Sequence, residues 1–227
     1  MKPIEIYKRF LLKVNKNDTN ANIKIGKGIF VLLFNEQKRQ LLDDKIKGKE
    51  SNDFIEDLHS LLKTDYKLKR VDKNKLSDKF ELPHDFFRRV GAYALTKKDK
   101  CKHIYMDIWF RKPKDIGVLL KNDNQNPSFE FQETIATLSN NSLTVYKDNF
   151  DIEDVYLSYY FEPKDIDIEG YIHIDGTKSN NIETELDNFL IEEILNRAAE
   201  EAVRNYESLE QTQLAMQRQQ RNEGTIN

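Results

Sequence analysis

Among 227 residues the chain has one cysteine, five prolines, eight glycines and one tryptophan. The lone Cys101 excludes an internal disulfide and any cysteine-built metal cluster, and it suits a reducing compartment. No apolar run approaches the roughly 20 residues that cross a bilayer. The opening MKPIEIYKRF lacks the apolar core and small-residue cleavage site of a signal peptide. The expectation is a chain that folds in a cytosol and makes no membrane contact. Phosphate-loop chemistry is missing too: Gly26-Lys27-Gly28 has neither the spacing nor the following Ser or Thr. No G-x-S-x-G supports a serine nucleophile, and Cys101 lies in the charged run KKDKCKH. The four histidines, His59, His84, His103 and His173, offer no i, i+4 pair for a helical zinc site. No catalytic residue, cofactor or metal ligand is therefore assigned, and the chain is not read as an enzyme.

What is present is charge and aromatic bulk. Apolar residues make up 38% and aromatics 11%, mostly Phe and Tyr, enough to bury a core despite a mean hydropathy of −0.73. The net charge is only −3, but it is unevenly spread along the chain. Residues 1–121 hold 29 basic and 17 acidic side chains, a balance of +12; residues 122–227 balance at −15. Two readings follow. Either the fold carries opposed surfaces suited to head-to-tail self-contact, or folding interleaves the two halves and evens the surface out.

The hydrophobic period changes along the chain. Residues 4–14 place Ile4, Tyr7, Leu11 and Val14 on a helical stripe with Phe10 beside it; residues 28–47 repeat the pattern with Phe30, Leu33, Phe34, Leu41 and Leu42. A third helix is expected over 52–63, with Phe54, Ile55, Leu58, Leu61 and Leu62 as its face. From about residue 80 strand signals dominate: RRVGAYAL, HIYMDIWF (103–110), FEFQETIATL (129–138), SLTVY (142–146), DVYLSYYF (154–161) and DIDIEGYIHI (165–174). A last helix starts near Thr184, with Asp187 completing an approximate capping box. Leu186, Leu190, Ile194, Ala198, Ala202 and Tyr206 recur along it. The segregation of helices from strands predicts an α+β fold. It comprises N-terminal helices (1–78), a central antiparallel β-rich region, sandwich- or barrel-like (79–183), a long C-terminal helix (184–207) and an extended glutamine-rich tail (208–227), either a floppy terminus or a segment that orders by docking on a partner. Residues 1–207 could form one folded domain.

Two stretches invite a chemical reading. Asp165-Ile-Asp167-Ile-Glu169-Gly170 has the look of half a calcium loop, but its twelfth position is Gly176, and alternating isoleucines favour a solvated strand face. KKDKCKHIYMDIWFRKPK (97–114) interleaves Lys and Arg with Tyr105, Trp109 and Phe110, a combination that neutralises phosphates and stacks bases. Ile104, Met106 and Ile108 equally fit an ordinary strand, and the pI of about 5.9 is low for a nucleic-acid-binding domain.

Three segments carry a family resemblance: EIYKRFLLKVNKNDTNANIKIGKGIFVLLFNEQ at the start, PSFEFQETIATLSNNSLTVYKDNFDIEDVYLSYYFEPKDIDIEGYIHIDGT in the middle and NNIETELDNFLIEEILNRAAEEAVRNYE near the end. Together they resemble the head-to-tail connector rings of crAss-like bacteriophages with short tails. The resemblance implies a structural virion protein, assembled in the host cytoplasm, that forms a homo-oligomeric ring, usually a dodecamer. Such a ring contacts the portal protein and other tail rings and surrounds double-stranded DNA without reading its sequence. It also implies that Ala198, Ala199, Ala202, Tyr206, Leu209, Leu214 and Met216 belong to an interface, and that Glu192, Glu193, Glu200 and Glu201 face the DNA channel. The alternative is a nucleic-acid-binding protein that uses residues 97–114.

Overall fold

A computed structural model of the chain describes residues 1–16, 24–49, 55–122 and 124–223; side chains are described up to Tyr206, Lys16 excepted. The fold is α+β and divides into two compact units. One unit joins the ends of the chain, residues 1–48 and 163–227, and is helical; the other, residues 49–162, is built on a sheet.

The helical unit consists of α1 (Pro3–Lys16), α2 (Lys27–Ile46) and α4 (Asn188–Glu223), with α4 packed on both α1 and α2. In α1 the buried row is Ile6, Phe10 and Val14, while Ile4, Tyr7 and Leu11 are half-buried. The neighbouring i, i+4 row therefore faces the core, and Tyr7 uses its hydroxyl to bond the Ile25 carbonyl at 2.6 Å. In α2 all five expected residues are buried, and Phe30 packs against Phe10 with the rings tilted and their centroids 4.9 Å apart. Lys38, almost wholly buried mid-helix, donates to the Pro163 carbonyl (2.8 Å) and the Asp165 carboxylate (2.5 Å).

The β unit is a curled eight-strand mixed sheet, a half-barrel, in the order β1-β8-β4-β5-β6-β7-β3-β2. Its strands are β1 (Leu62–Lys67), β2 (Lys69–Lys73), β3 (Ser77–Glu81), β4 (Phe86–Lys98), β5 (Cys101–Phe110), β6 (Glu133–Ser139), β7 (Ser142–Tyr146) and β8 (Asp151–Phe161). All neighbouring pairs are antiparallel except β5 and β6, which run parallel from Asp107↔Glu133 to Phe110↔Ala136. The expected all-antiparallel region is thus corrected to a mixed sheet, because residues 111–132 make a long crossover that carries the short helix α3 (Ile116–Leu119). The two edge strands β1 and β2 are separated by the single residue Leu68, so one continuous stretch of chain forms both edges. The Leu68 amide bonds the Val155 carbonyl of β8, and Arg70 on β2 donates to the Ile152 and Glu153 carbonyls at 2.5 and 2.8 Å, bridging the seam. Inside the curl pack Leu68, Phe80, Met106, Leu143, Val145, Val155, Leu157 and Tyr159. The period-2 pattern of β8 puts Val155, Leu157 and Tyr159 on this face, as its alternation predicts.

Three expectations change. The helix expected over 52–63 is a 3-10 helix, Glu56–Leu61, that runs directly into β1; residues 51–54 lie outside the described residues. Leu58 and Leu61, three apart, share the buried face that a three-residue turn provides. Strands β1 and β2 and the first two residues of β3 occupy residues expected in a helical region. The first two strands carry almost no apolar alternation because they are exposed edges. Residues 165–174 form no strand. Isolated bridges Asp167↔Ile182 and Ile172↔Lys178 hold an irregular loop instead.

On β3 the inward positions are Phe80 and a charge, Asp78, which is fully buried. Lys147 lies 2.5 Å from it, and the Arg70 guanidinium approaches to 3.3 Å, an ion-pair distance without hydrogen-bond alignment. Removing one partner of such a cluster leaves a bare buried charge. Asp78→Ala should therefore lower the unfolding free energy by about 3–5 kcal/mol, measured by urea denaturation, whereas Asp78→Leu combined with Lys147→Met should recover much of that loss.

Candidate interaction surfaces

Helix α4 begins at Asn188, four residues later than expected. The Asp187 carboxylate accepts from the Leu190 amide at 2.8 Å and so acts as the cap itself, while Thr184 bonds the Leu186 amide before the helix starts. Ala198, Ala199 and Ala202 are buried in the face that packs on α1 and α2, so their close approach is satisfied within the chain. Tyr206 is half-buried, and the side chains of Leu209, Leu214 and Met216 lie outside the described residues.

The four glutamates proposed for a channel are also placed individually. Glu192 pairs with Arg9 and Lys13, both at 2.9 Å. The Lys13 ammonium, against a modest opposing effect of burial and with help from Arg9, holds the Glu192 carboxyl below its ordinary range. Glu193 pairs with Lys45 at 3.1 Å and Arg197 at 3.4 Å, and Glu201 accepts from Gln37. Glu200 is exposed. These contacts explain the divided charge of the sequence: basic residues of 1–48 meet acidic residues of 163–227 inside one unit. By count the helical unit balances at −2 and the β unit at −1, so folding interleaves the halves.

The helical unit leaves an apolar groove of about 600 Å³ between α2 and the loop 171–177, lined by Ile29, Leu32, Tyr171, Ile172 and Ile174. Ile174 is 96% exposed. The loop is shaped by Asp167, the middle residue of the calcium-like stretch, which is buried rather than on a solvated strand. Its carboxylate accepts from the Tyr171 hydroxyl (2.7 Å), His173 Nε2 (3.1 Å) and the Ile168 and Asn180 amides (both 2.8 Å). Asp165 is taken by Lys38 and Arg39. Tyr171 crosses so close to Gly28 that a Cβ there would lie 3.1 Å from its ring, and Gly170 and Gly176 turn the loop with φ of +112° and +84°. Sequence reading missed this loop; the signal was the pair of glycines that breaks the alternation.

In the β unit the stretch 97–114 splits in two. Ile104 is half-buried and Met106 and Ile108 are buried. Tyr105 stacks on Tyr93, which stacks on Tyr156, with centroids 4.7 and 5.0 Å apart, yet Tyr105 stays half exposed, as does Trp109 beside Arg111. Phe110 lies under the Arg89 guanidinium. Lys97, Lys98 and Lys102 instead join Lys73, Lys75 and Lys147 around a recess of about 790 Å³. Three connections meet there: the β2–β3 turn, the β4–β5 hairpin with Asp99 at φ +53°, and the loop 147–151.

Among the described residues no group of three or more His, Cys, Asp or Glu is arranged to hold a metal ion, and no helix is long and apolar enough to cross a membrane. No protein-family model matches the chain, and no curated protein matches it.

Burial raises the affinity of Asp167 for a proton, but its hydrogen bonds from Tyr171, the Asn180 and Ile168 amides and His173 outweigh that, leaving it below the ordinary carboxylate value. A depressed folded value stabilises the fold above the unfolded one, and that gain fades as pH falls through the folded value. Stability should therefore fall as pH drops below the ordinary Asp value of 3.8, with Asp85 and Asp165, depressed likewise, adding to the loss, and Glu192 adding to it from its own ordinary value of 4.5. Asp167→Asn should cost about 1–3 kcal/mol at neutral pH and flatten the acid limb, as read by urea unfolding at stepped pH.

Proposed function

We propose that the chain is a structural subunit of a bacteriophage virion, one copy in a ring that joins the portal vertex to the short tail and encircles the genome's exit path. The observation that carries this reading is the apolar groove of the helical unit. Ile29, Leu32, Ile172 and Ile174 stand in solvent around it, held open by a loop that Asp167 fastens with four hydrogen bonds. A pre-shaped apolar surface of this kind marks a contact with another protein, and a heterologous contact repeated around an axis closes a ring. The three stretches that resemble connector rings fall on α1 and α2, on β6 to β8 with the Asp167 loop, and on α4, so they include both walls of the groove. In this reading the neighbouring copy covers the groove, and repetition of a modest contact around the ring supplies the stability through avidity.

Light scattering on the purified chain at increasing concentration should show closed oligomers, and Ile172→Asp with Ile174→Asp should return it to a 26.8 kDa monomer with unchanged circular dichroism. Quantitative mass spectrometry of purified particles should give a whole-number ratio to the portal protein. A chain absent from particles, or an oligomer indifferent to the two substitutions, would sink the reading.

A further inference from the structure

The lysine-lined recess at the end of the half-barrel has no role in the ring contact. We infer that it binds the phosphodiester backbone of a nucleic acid, through charge and without reading bases. Six lysines line it against three aspartates, Asp99, Asp148 and Asp151, although the β unit as a whole is slightly acidic. Positive charge is therefore concentrated here. One of its three acidic members is paired: Asp151 lies 3.1 Å from Lys73, and that ammonium holds its carboxyl below the usual range. Lys98 is matched to Glu130 at 2.8 Å. Lys75, Lys97 and Lys102 are exposed and form no ion pair with another described residue.

The floor is built rather than accidental. Lys147, only 4% exposed, is fixed by the buried Asp78, and Phe150 next to it is buried in the sheet's core. Three separate connections thus deliver lysines to one concave site on a rigid base. Asn74 and Asn149 add amide donors to the lining. Among the described residues that line the recess the one aromatic is Phe150, which is buried, and the half-exposed Tyr105 and Trp109 stand outside the lining. Without an exposed ring the site has no platform for a base. Compact ammonium groups on flexible stems suit phosphate oxygens as point charges and carry no sequence information.

The inference stands whether or not the chain closes into a ring, and its test is separate from the test of assembly. The full-length chain is titrated into a fluorescein-labelled DNA duplex of about 30 base pairs over a salt series of about 50–200 mM, with anisotropy as the readout. Binding should weaken with salt. Lys75→Glu with Lys97→Glu and Lys102→Glu should weaken it about tenfold or more and reduce the log–log salt slope by about 2.7, near 0.9 per lost phosphate contact. The equally charged control, Lys2→Glu with Lys8→Glu and Lys47→Glu on the helical unit, should change the slope little. Equal losses in both triple variants would overturn the site, as would duplex binding without salt dependence. Poly-glutamate competing as well as DNA would show a general acidic-peptide surface and overturn the phosphate reading. Tight inorganic pyrophosphate binding with no affinity for duplex would overturn the nucleic-acid source. Because the altered lysines are exposed, circular dichroism should match wild type in each variant.

Discussion

A carboxylate with no exposure to solvent, Asp78, is the constraint around which the β unit is arranged. It occupies an inward position of β3 where an apolar side chain would be expected, and a charge there requires partners. Lys147, one residue after β7, and Arg70 on β2 supply them. Arg70 then has further donors left for two carbonyls of β8, which draws one edge of the sheet toward the other. Lys147 forms the floor of the basic recess. A single buried charge thereby ties together β2, β3, β7 and β8, the closure of the curl and the geometry of a surface on which lysines from three connections converge.

The helical unit uses charge differently. Its ion pairs, Arg9 and Lys13 with Glu192, Lys45 with Glu193, and Arg197 with Asp44, are partly exposed and individually weak. Their number matters less than their direction: three of the four join a basic residue near the start of the chain to an acidic one near its end, and Arg197 with Asp44 joins the same two regions with the signs exchanged. Packing of Phe10, Phe30, Phe34, Leu190 and Ile194 supplies the stability, and the charges select which helix faces meet. Lys38 is the exception, since its burial obliges Asp165 and the Pro163 carbonyl to sit against α2 and so starts the loop that shapes the apolar groove.

Two surfaces of different character result. The groove of the helical unit is apolar and pre-shaped, suited to a protein neighbour. The recess of the β unit is cationic and lacks exposed aromatic rings, suited to a phosphate backbone. In the proposed connector role the groove is the firm contact and the recess the undemanding one, because counterions exchange readily along DNA held by salt-sensitive phosphate binding.

Periodicity alone placed α1, α2, β4, β5, β7, β8 and the body of α4, because in each the apolar residues needed for burial repeat at 3.6 or at 2. It also showed the divided charge and the lysine run at 97–102. It did not show β1 and β2, since these edge strands bury little and leave no alternation to read, and it did not show β3, whose inward positions are Phe80 and the charged Asp78; pairing with β8, β3 and β7 makes them strands. Alternation over 165–174 predicted a strand, yet Asp167 claims the amides of Ile168 and Asn180 and replaces the ladder with a loop. The alanines of α4 announced close packing without naming the partner, which is α1 and α2 of the same chain. Of the glutamates beside them, Glu192 and Glu193 are met by Arg9, Lys13 and Lys45 for the same reason. Sequence determines which residues must be buried or neutralised; only tertiary structure decides by what, because both burial and charge are satisfied by neighbours far away in the chain.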